Sequence, residues 1–454
     1  PAQLTIPANA KPLCDCGGEA RLKEIRGSTP ASRFLVLELA ERLPFEPRIL
    51  GYLRLDPPIP RMHRRTPEGV ERDIRERIFP RDWFHPTYEG GADWQKALDR
   101  VNTAAARIAR VVVHPDYRSE GFGALLVRVA LEWAKERAFF FNDPATTEIY
   151  TIAQMARYHP FFEKVGFRYL FDTASGRPVL FYPLTEEAEA HLERFLREDP
   201  YAKAHGGRLY KPRFGRVPGL PGPIRLAGVH KAYRSHLDLE GLSREVQEAL
   251  LAFGVKARVV ERAVLRGASL EIPPGSLVVL AGASGAGKTT LLRLLLGEAP
   301  DAGEVAVPPG RRVAYIPGER EVDLGEAPIL EAVYRRLKDV GAAIEVLNRV
   351  GLSDAVLYRA RPHELSTGQR ERFRLALLLA ERPDLLLIDE FAAHLDVPTA
   401  RRVALGLGKL CREAGVTLVA ATHRPEVVAA LDPDLLVYVG YGGLTTVPRR
   451  GPRT

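Results

Sequence analysis

Cysteine is scarce: the 454 residues hold three, two in Cys14-Asp15-Cys16 and one far away at Cys411. That number and spacing exclude a disulfide framework and fit a reducing cytoplasm. Cys14 and Cys16 can supply half of a zinc site, but two ligands do not close a tetrahedral shell, so metal there requires ligands from elsewhere. Long apolar runs are missing as well, and nothing approaches the ~20 consecutive apolar residues a membrane helix needs. The chain opens at Pro1 without a charged-then-apolar leader, which argues against a secretion signal, and the missing methionine is expected of a fragment or a processed chain. Charge of one sign is only mildly in excess, with 65 Lys and Arg against 57 Asp and Glu, a net +8. General basicity explains that surplus as well as a polyanionic partner does. The clusters Arg61-Met62-His63-Arg64-Arg65 and Lys203 to Arg216 are candidate phosphate contacts or simply solvated surface, since no base-reading motif accompanies them.

What is present belongs to an ordinary globular protein, 46% hydrophobic and 27% charged. At ~150 residues per domain the length calls for two or three domains. One stretch organises the second half: Gly282-Ala283-Ser284-Gly285-Ala286-Gly287-Lys288-Thr289-Thr290, set between the apolar run Ser276 to Ala281 and the leucine-rich run Leu291 to Leu296. Strand, glycine loop and helix in that order form a P-loop. Backbone N–H groups must converge on phosphate oxygens, which side chains would obstruct. Lys288 then reaches the terminal phosphates, and the Thr289 hydroxyl can take a Mg2+ coordination position.

In the first half, residues 1–30 show no period and are expected to be an extension. Phe34 to Leu39 and Arg48 to Leu55 are predicted strands, in sequence and hence an antiparallel pair. Residues 57–99, rich in Pro, Arg and aromatics, are predicted to be an insertion with some helix. Then comes Ala109-Arg110-Val111-Val112-Val113-His114-Pro115-Asp116-Tyr117-Arg118-Ser119-Glu120-Gly121-Phe122-Gly123, followed by an apolar helix running to Ala138. A strand, a glycine loop and a helix N-terminus make an anion site, with Val111 and Val113 on a strand edge open to an extended ligand.

This stretch, with Tyr158-His159-Pro160-Phe161-Phe162-Glu163-Lys164-Val165-Gly166-Phe167 after it, resembles the GNAT acetyltransferases over about residues 30–185, within a domain expected over 31–198. The resemblance implies a mixed-sheet α/β domain that binds acetyl-CoA, its pyrophosphate on Arg118, Ser119, Glu120, Gly121, Phe122 and Gly123. The tyrosine that many members use as general acid toward the thiolate is Phe162 here, and a phenyl ring donates no proton. Tyr158 or His159 then substitutes, or transfer proceeds without a dedicated acid, or the domain binds acyl-CoA without turnover. Glu38 and His114 are the candidate acceptor bases. Phe139 to Thr151 resembles a translated sequencing-adapter readthrough and receives no function.

Thr185 to Arg197 has helical spacing, with Leu192, Phe195 and Leu196 on one side. Residues 199–223, dense in Gly, Pro and basic residues, are the expected linker. After an opening strand, Ser243 is the expected N-cap of a helix to Phe253. From Ala263 onward the chain resembles the ATP-binding cassette (ABC) ATPases, within a domain expected over 224–454, which implies a P-loop NTPase α/β fold with a helical subdomain. Leu365-Ser366-Thr367-Gly368-Gln369 matches the ABC signature, in which Ser366, Thr367, Gly368 and Gln369 serve the ATP of the opposite protomer. Leu385 to Ile388 leads into Asp389, expected to hold Mg2+, and Glu390, expected to polarise the attacking water. His394-Leu395-Asp396 resembles the D-loop, and His423 the switch histidine on the γ-phosphate. The Q-loop glutamine is replaced by Gly318-Glu319, and Phe253 and Tyr233 are the candidates for stacking on adenine.

One P-loop and one signature imply an ATP-dependent homodimer in the cytoplasm, without a transmembrane segment of its own. Three functions follow: an ATP-coupled acetyltransferase acting on RNA or a protein; an ABC ATPase working on nucleic acid or ribosomes with a non-catalytic GNAT scaffold or acyl-CoA sensor; or the ATPase subunit of a transporter.

Overall fold

The computed structural model describes residues 20–26, 32–41, 44, 47–56, 58–59, 62–78, 105–114, 117, 121–136, 148–237, 239–255, 258–318 and 323–449. The backbone separates into two compact units, Pro1–Pro212 and Arg213–Thr454. Cys14, Cys16, Glu319 and most of the adapter-like stretch lie outside the described residues.

The first unit runs β1 (Ala20–Arg26), β2 (Arg33–Leu39), β3 (Ile49–Asp56), β4 (Arg64–Thr66), β5 (Gly69–Glu71), α1 (Arg75–Ile78), β6 (Ala105–Val113), α2 (Phe122–Lys135), β7 (Glu148–Ile152), β8 (Arg168–Thr173), β9 (Pro178–Pro183), α3 (Glu186–Glu198) and α4 (Pro200–His205). The strands make one sheet in the order β1-β2-β3-β6-β7-β9-β8-β4-β5. Only β6 and β7 run parallel; every other neighbouring pair is antiparallel. Alternation sends Leu180 to the core on one face, beside Leu126 and Ala130 of α2, and Val179 and Phe181 to the other, beside Leu192 and Phe195 of α3. The Thr185 hydroxyl caps α3 by accepting from the Ala188 N–H.

One expectation changes here and one gains a hairpin. Residues 20–26, expected within an extension, form β1 against β2 in full register. The described part of the 57–99 segment holds the expected helix, α1, and also a hairpin of β4 and β5 whose first strand pairs with β8. Arg64 explains why it docks. Buried to 4% exposure, Arg64 donates from Nη1 to both carboxylate oxygens of Asp199 at 2.8 Å and from Nε to Glu71 at 3.0 Å. A buried guanidinium demands such partners.

The second unit comprises β10 (Ile224–Leu237), α5 (Arg244–Ala252), β11 (Arg258–Ile272), β12 (Leu277–Ala281), α6 (Lys288–Leu295), β13 (Ala302–Ala306), β14 (Val313–Ile316), α7 (Ile329–Leu337), α8 (Val340–Arg349), α9 (Thr367–Ala380), β15 (Leu385–Ile388), α10 (Val397–Ala414), β16 (Thr417–Ala421), α11 (Pro425–Leu431), β17 (Leu435–Gly440) and β18 (Gly443–Pro448). One sheet is antiparallel, β11-β10-β13; the other is parallel except at its β18 edge, β14-β15-β16-β12-β17-β18. Strands β12, β15 and β16 are buried along nearly their whole length, as continuous apolar runs in a covered parallel sheet must be.

The segment expected as a linker is built into the two cores. Asp199 caps α4 through the Tyr201 and Ala202 N–H groups, and the Leu209 and Tyr210 N–H groups donate to Glu163. Phe214, Val217 and Leu220 are buried in the second unit. There the Arg213 and Phe214 N–H groups donate to Glu345 Oε2 at 2.7 and 3.1 Å. A Gly/Pro/basic composition reads as solvated chain, but its few apolar residues decide its place.

Candidate nucleotide and acyl-CoA sites

In the parallel sheet β16 lies between β12 and β15, so the turns leaving all three strands open at one edge, where ligands of such sheets bind. The turn after β12 is Gly282 to Gly287. Gly282 has φ 144°, and a Cβ there would stand 2.3 Å from the Val439 carbonyl oxygen. Gly287, the N-cap of α6, has φ 110°, and a Cβ would stand 2.5 Å from Val264 Cγ1. Glycine is therefore required at both positions, by backbone conformation and by close approach. Lys288 opens α6, its Nζ donating to the Gly282 and Ala283 carbonyls at 2.9 and 2.8 Å. Those are neutral acceptors. A phosphate oxygen is a stronger partner for the ammonium.

Strand β15 delivers Asp389 and Glu390. The Asp389 N–H donates to the Ile316 carbonyl, fixing the strand end, and Asp389 is 7% exposed. Thr289 Oγ1 donates to Asp389 Oδ2 at 2.7 Å, joining residues a hundred positions apart. Two oxygens facing each other suit Mg2+, which keeps several waters and takes phosphate oxygens for the rest of its shell. Among the described residues no group of three or more His, Cys, Asp or Glu could hold a metal. Glu390 is exposed and has φ 51°, an uncommon backbone for a side-chain-bearing residue. His423 is exposed just after β16, where Thr422 is buried, its N–H donating to Leu280 O and its hydroxyl to Phe391 O.

The family described as "ABC transporter" matches residues 265–393, and that described as "Acetyltransferase (GNAT) domain" matches residues 89–169. The zinc import ATP-binding protein ZnuC of Ruegeria pomeroyi is 34% identical over 198 residues, 42% of this chain and 75% of that protein. The chain belongs to the ABC ATPase family. The lipoprotein-releasing system ATP-binding protein LolD 1 of Rhodospirillum rubrum is 35% identical, covering 37% of this chain and 84% of that protein. The methionine import ATP-binding protein MetN of Mesorhizobium japonicum is 34% identical, and the match spans 41% of this chain but 56% of that protein. A solved dimeric ATP-binding cassette bound to ADP and Pi is 22% identical with a TM-score of 0.38, over 50% of this chain and 100% of that one.

In the ABC unit the residues that resemble the signature open α9. Ser366 is the N-cap, its hydroxyl accepting from the Gln369 N–H while the Gln369 side chain accepts from the Ser366 N–H. This reciprocal box leaves Thr367 and Gly368 in the first turn of the helix. A Cβ on Gly368 would stand 3.0 Å from Leu395 Cδ2, so the start of α9 packs on the His394 to Asp396 loop that resembles a D-loop. Asp396 of that loop caps α10 through the Thr399 N–H. Arg424 holds the same loop, donating to the Ala392 and Leu395 carbonyls at 2.7 and 2.5 Å and to Glu426 at 2.7 Å. Nothing local marks Arg424 beyond its place after His423. At the Q-loop position, a Cβ on Gly318 would stand 3.0 Å from Glu390 Oε2. Of the adenine candidates, Phe253 is 85% exposed. Tyr233 is half-buried, donates its hydroxyl to Glu298 at 3.2 Å and has Lys231 over its ring at 5.7 Å.

In the GNAT unit, β6 pairs with β7 only from Ala105 to Ile108, yet continues to Val113 against β3. Val111 and Val113 lie on this continuation, beyond the last pair with β7 at Ile108. Gly121, at φ 88°, caps α2, and a Cβ at Gly123 would stand 3.0 Å from Phe161. Arg118, Ser119 and Glu120 lie outside the described residues. Phe162 is 8% exposed, edge-on to Phe161 at 4.7 Å and to Phe167 at 5.2 Å, so its ring is core. His159 does not suit the acid role. Burial, aided by Lys164, pushes its pKa down to about 4, so at neutral pH it carries no acidic proton. Glu38 pairs with Arg48 at 3.7 Å, and His114 lies edge-on to Tyr117.

Proposed function

We propose that this chain hydrolyses ATP as an ABC-type ATPase and couples the cycle to its GNAT unit, which binds acetyl-CoA and acylates a macromolecular acceptor. The observation that carries the ATPase half is the Thr289–Asp389 contact at 2.7 Å, with Glu390 as the next residue. Lys288 and the loop N–H groups bind the phosphates, and Thr289 and Asp389 would hold Mg2+, which shields the phosphate charge when bound. Glu390 orients the attacking water and His423 the γ-phosphate. Two copies sandwich two ATP, each supplying Ser366, Thr367, Gly368 and Gln369 to the other, in the cytoplasm.

A second reading keeps the ATPase and makes the GNAT unit an acyl-CoA-binding scaffold. Phe162 in the core and a neutral His159 favour it, because neither delivers a proton to a leaving thiolate. The import functions in the names of the curated relatives support a third reading, a transporter's ATPase subunit. Calorimetric titration of acetyl-CoA with and without ATP tests the coupling. Micromolar binding that changes with ATP is the expected result, and no binding leaves the ATPase alone. Acetyl transfer to added polyamines or peptides then separates the first two readings.

A further inference from the structure

Arg262 of β11 stands directly opposite Tyr233 of β10 in the antiparallel ladder. Its Nη2 donates to the carbonyl oxygen of Gly285 at 2.8 Å. The guanidinium lies broadside on the loop: a Cβ at Gly285, whose φ is 71°, would meet Nη2 at 3.3 Å, Nη1 at 3.7 Å and Cζ at 4.0 Å. The antiparallel sheet thus lays a planar cation on the phosphate loop, which no local motif reveals. Its charge has no carboxylate partner among the described residues, and the adjacent Glu261 pairs with Arg234 at 2.9 Å. Arg262 is exposed and adds nothing to a core. One neutral carbonyl uses a fraction of its five donors, whereas a phosphate takes the guanidinium fork two bonds at a time.

We propose that Arg262 is a second cationic contact for the nucleotide's phosphate chain, acting beside Lys288 while its bond to Gly285 holds the loop in shape. This deepens the ATP reading of residues 282–290 and rests on it. The test titrates ATP and inorganic tripolyphosphate, each with Mg2+, into wild type, Arg262→Ala and Arg262→Lys by calorimetry. Arg262→Ala should weaken both ligands by about tenfold, the scale of one charge-assisted hydrogen bond, and Arg262→Lys should recover part of the loss. Loss for ATP with tripolyphosphate unchanged would assign the residue to the base or ribose and overturn the phosphate contact; no loss for either would overturn the role altogether. Arg262→Gln, which keeps a donor to Gly285 but no charge, should behave like Arg262→Ala, and wild-type affinity in it would show that only the carbonyl bond matters. The failures are separable, because a wild-type chain that binds neither ligand refutes the ATP reading itself.

Discussion

Gly318 stands where the ABC pattern has its glutamine neighbourhood, and alanine there is an informative perturbation. Its Cβ would lie 3.0 Å from Glu390 Oε2 and 3.1 Å from both Cδ and Cγ. Carbon contacts settle near 3.5 Å, so the carboxylate must move by about 0.5 Å. The backbone has little freedom to follow, because Glu390 already holds a left-handed φ of 51° and its N–H donates to Asp389 Oδ1. Since ~1 Å of misplacement can cost ~100-fold in rate, about 0.5 Å corresponds to roughly tenfold. Gly318→Ala should therefore lower single-turnover ATP hydrolysis by about five- to tenfold, measured by phosphate release, with ATP affinity and the thermal midpoint close to wild type. Glu390→Gln should lose at least ~100-fold in the same assay. Wild-type turnover in Gly318→Ala, or a defect confined to ATP affinity, would refute the placement of Glu390 at the water.

Burial of His159 gives a pH signature in the GNAT unit. With a folded pKa of about 4 against ~6.5 unfolded, the unfolded chain takes up the proton first, so stability falls as pH drops from ~6.5 toward ~4 and is flat above. The loss should be about 2 kcal/mol after allowing for a partly exposed ring, seen in urea melts across pH and absent in His159→Asn. Glu345→Ala leaves the Arg213 and Phe214 N–H groups without their acceptor and should destabilise the ABC unit by about 2–4 kcal/mol in the same melts. Cys411 is fully buried, its thiol pushed up to about 12 by burial, so peptide mapping should find it alkylated by iodoacetamide only after unfolding.

Motifs that act locally were legible in the sequence. A P-loop, a signature at a helix start and a carboxylate pair after a buried strand each encode their geometry within a few residues, and β12, α9 and β15 lie where the patterns put them. Pairing across long separations was not legible. Residues 20–26 carry charges at Arg21, Lys23, Glu24 and Arg26 without an apolar run, and pairing with β2 makes them a strand. The docking of β4 depends on Asp199, 135 residues later, and the position of Phe214 on Glu345, 131 residues later. Arg262 belongs to the same class: its sequence neighbours are unremarkable, and the ladder with β10 brings it to Gly285. Phe162 was visible as a departure from the GNAT pattern, but its contacts with Phe161 and Phe167 turn that departure into a packing role.

A composite ATP site is completed, in the proposed function, by a second copy of the chain. Sedimentation velocity of Glu390→Gln with and without saturating Mg-ATP tests it most directly, because slowed hydrolysis should hold the sandwich together. The expected result is a monomer without ATP and a dimer with it, the dimer being lost when Ser366 is also replaced by arginine. A monomer at saturating ATP would contradict it.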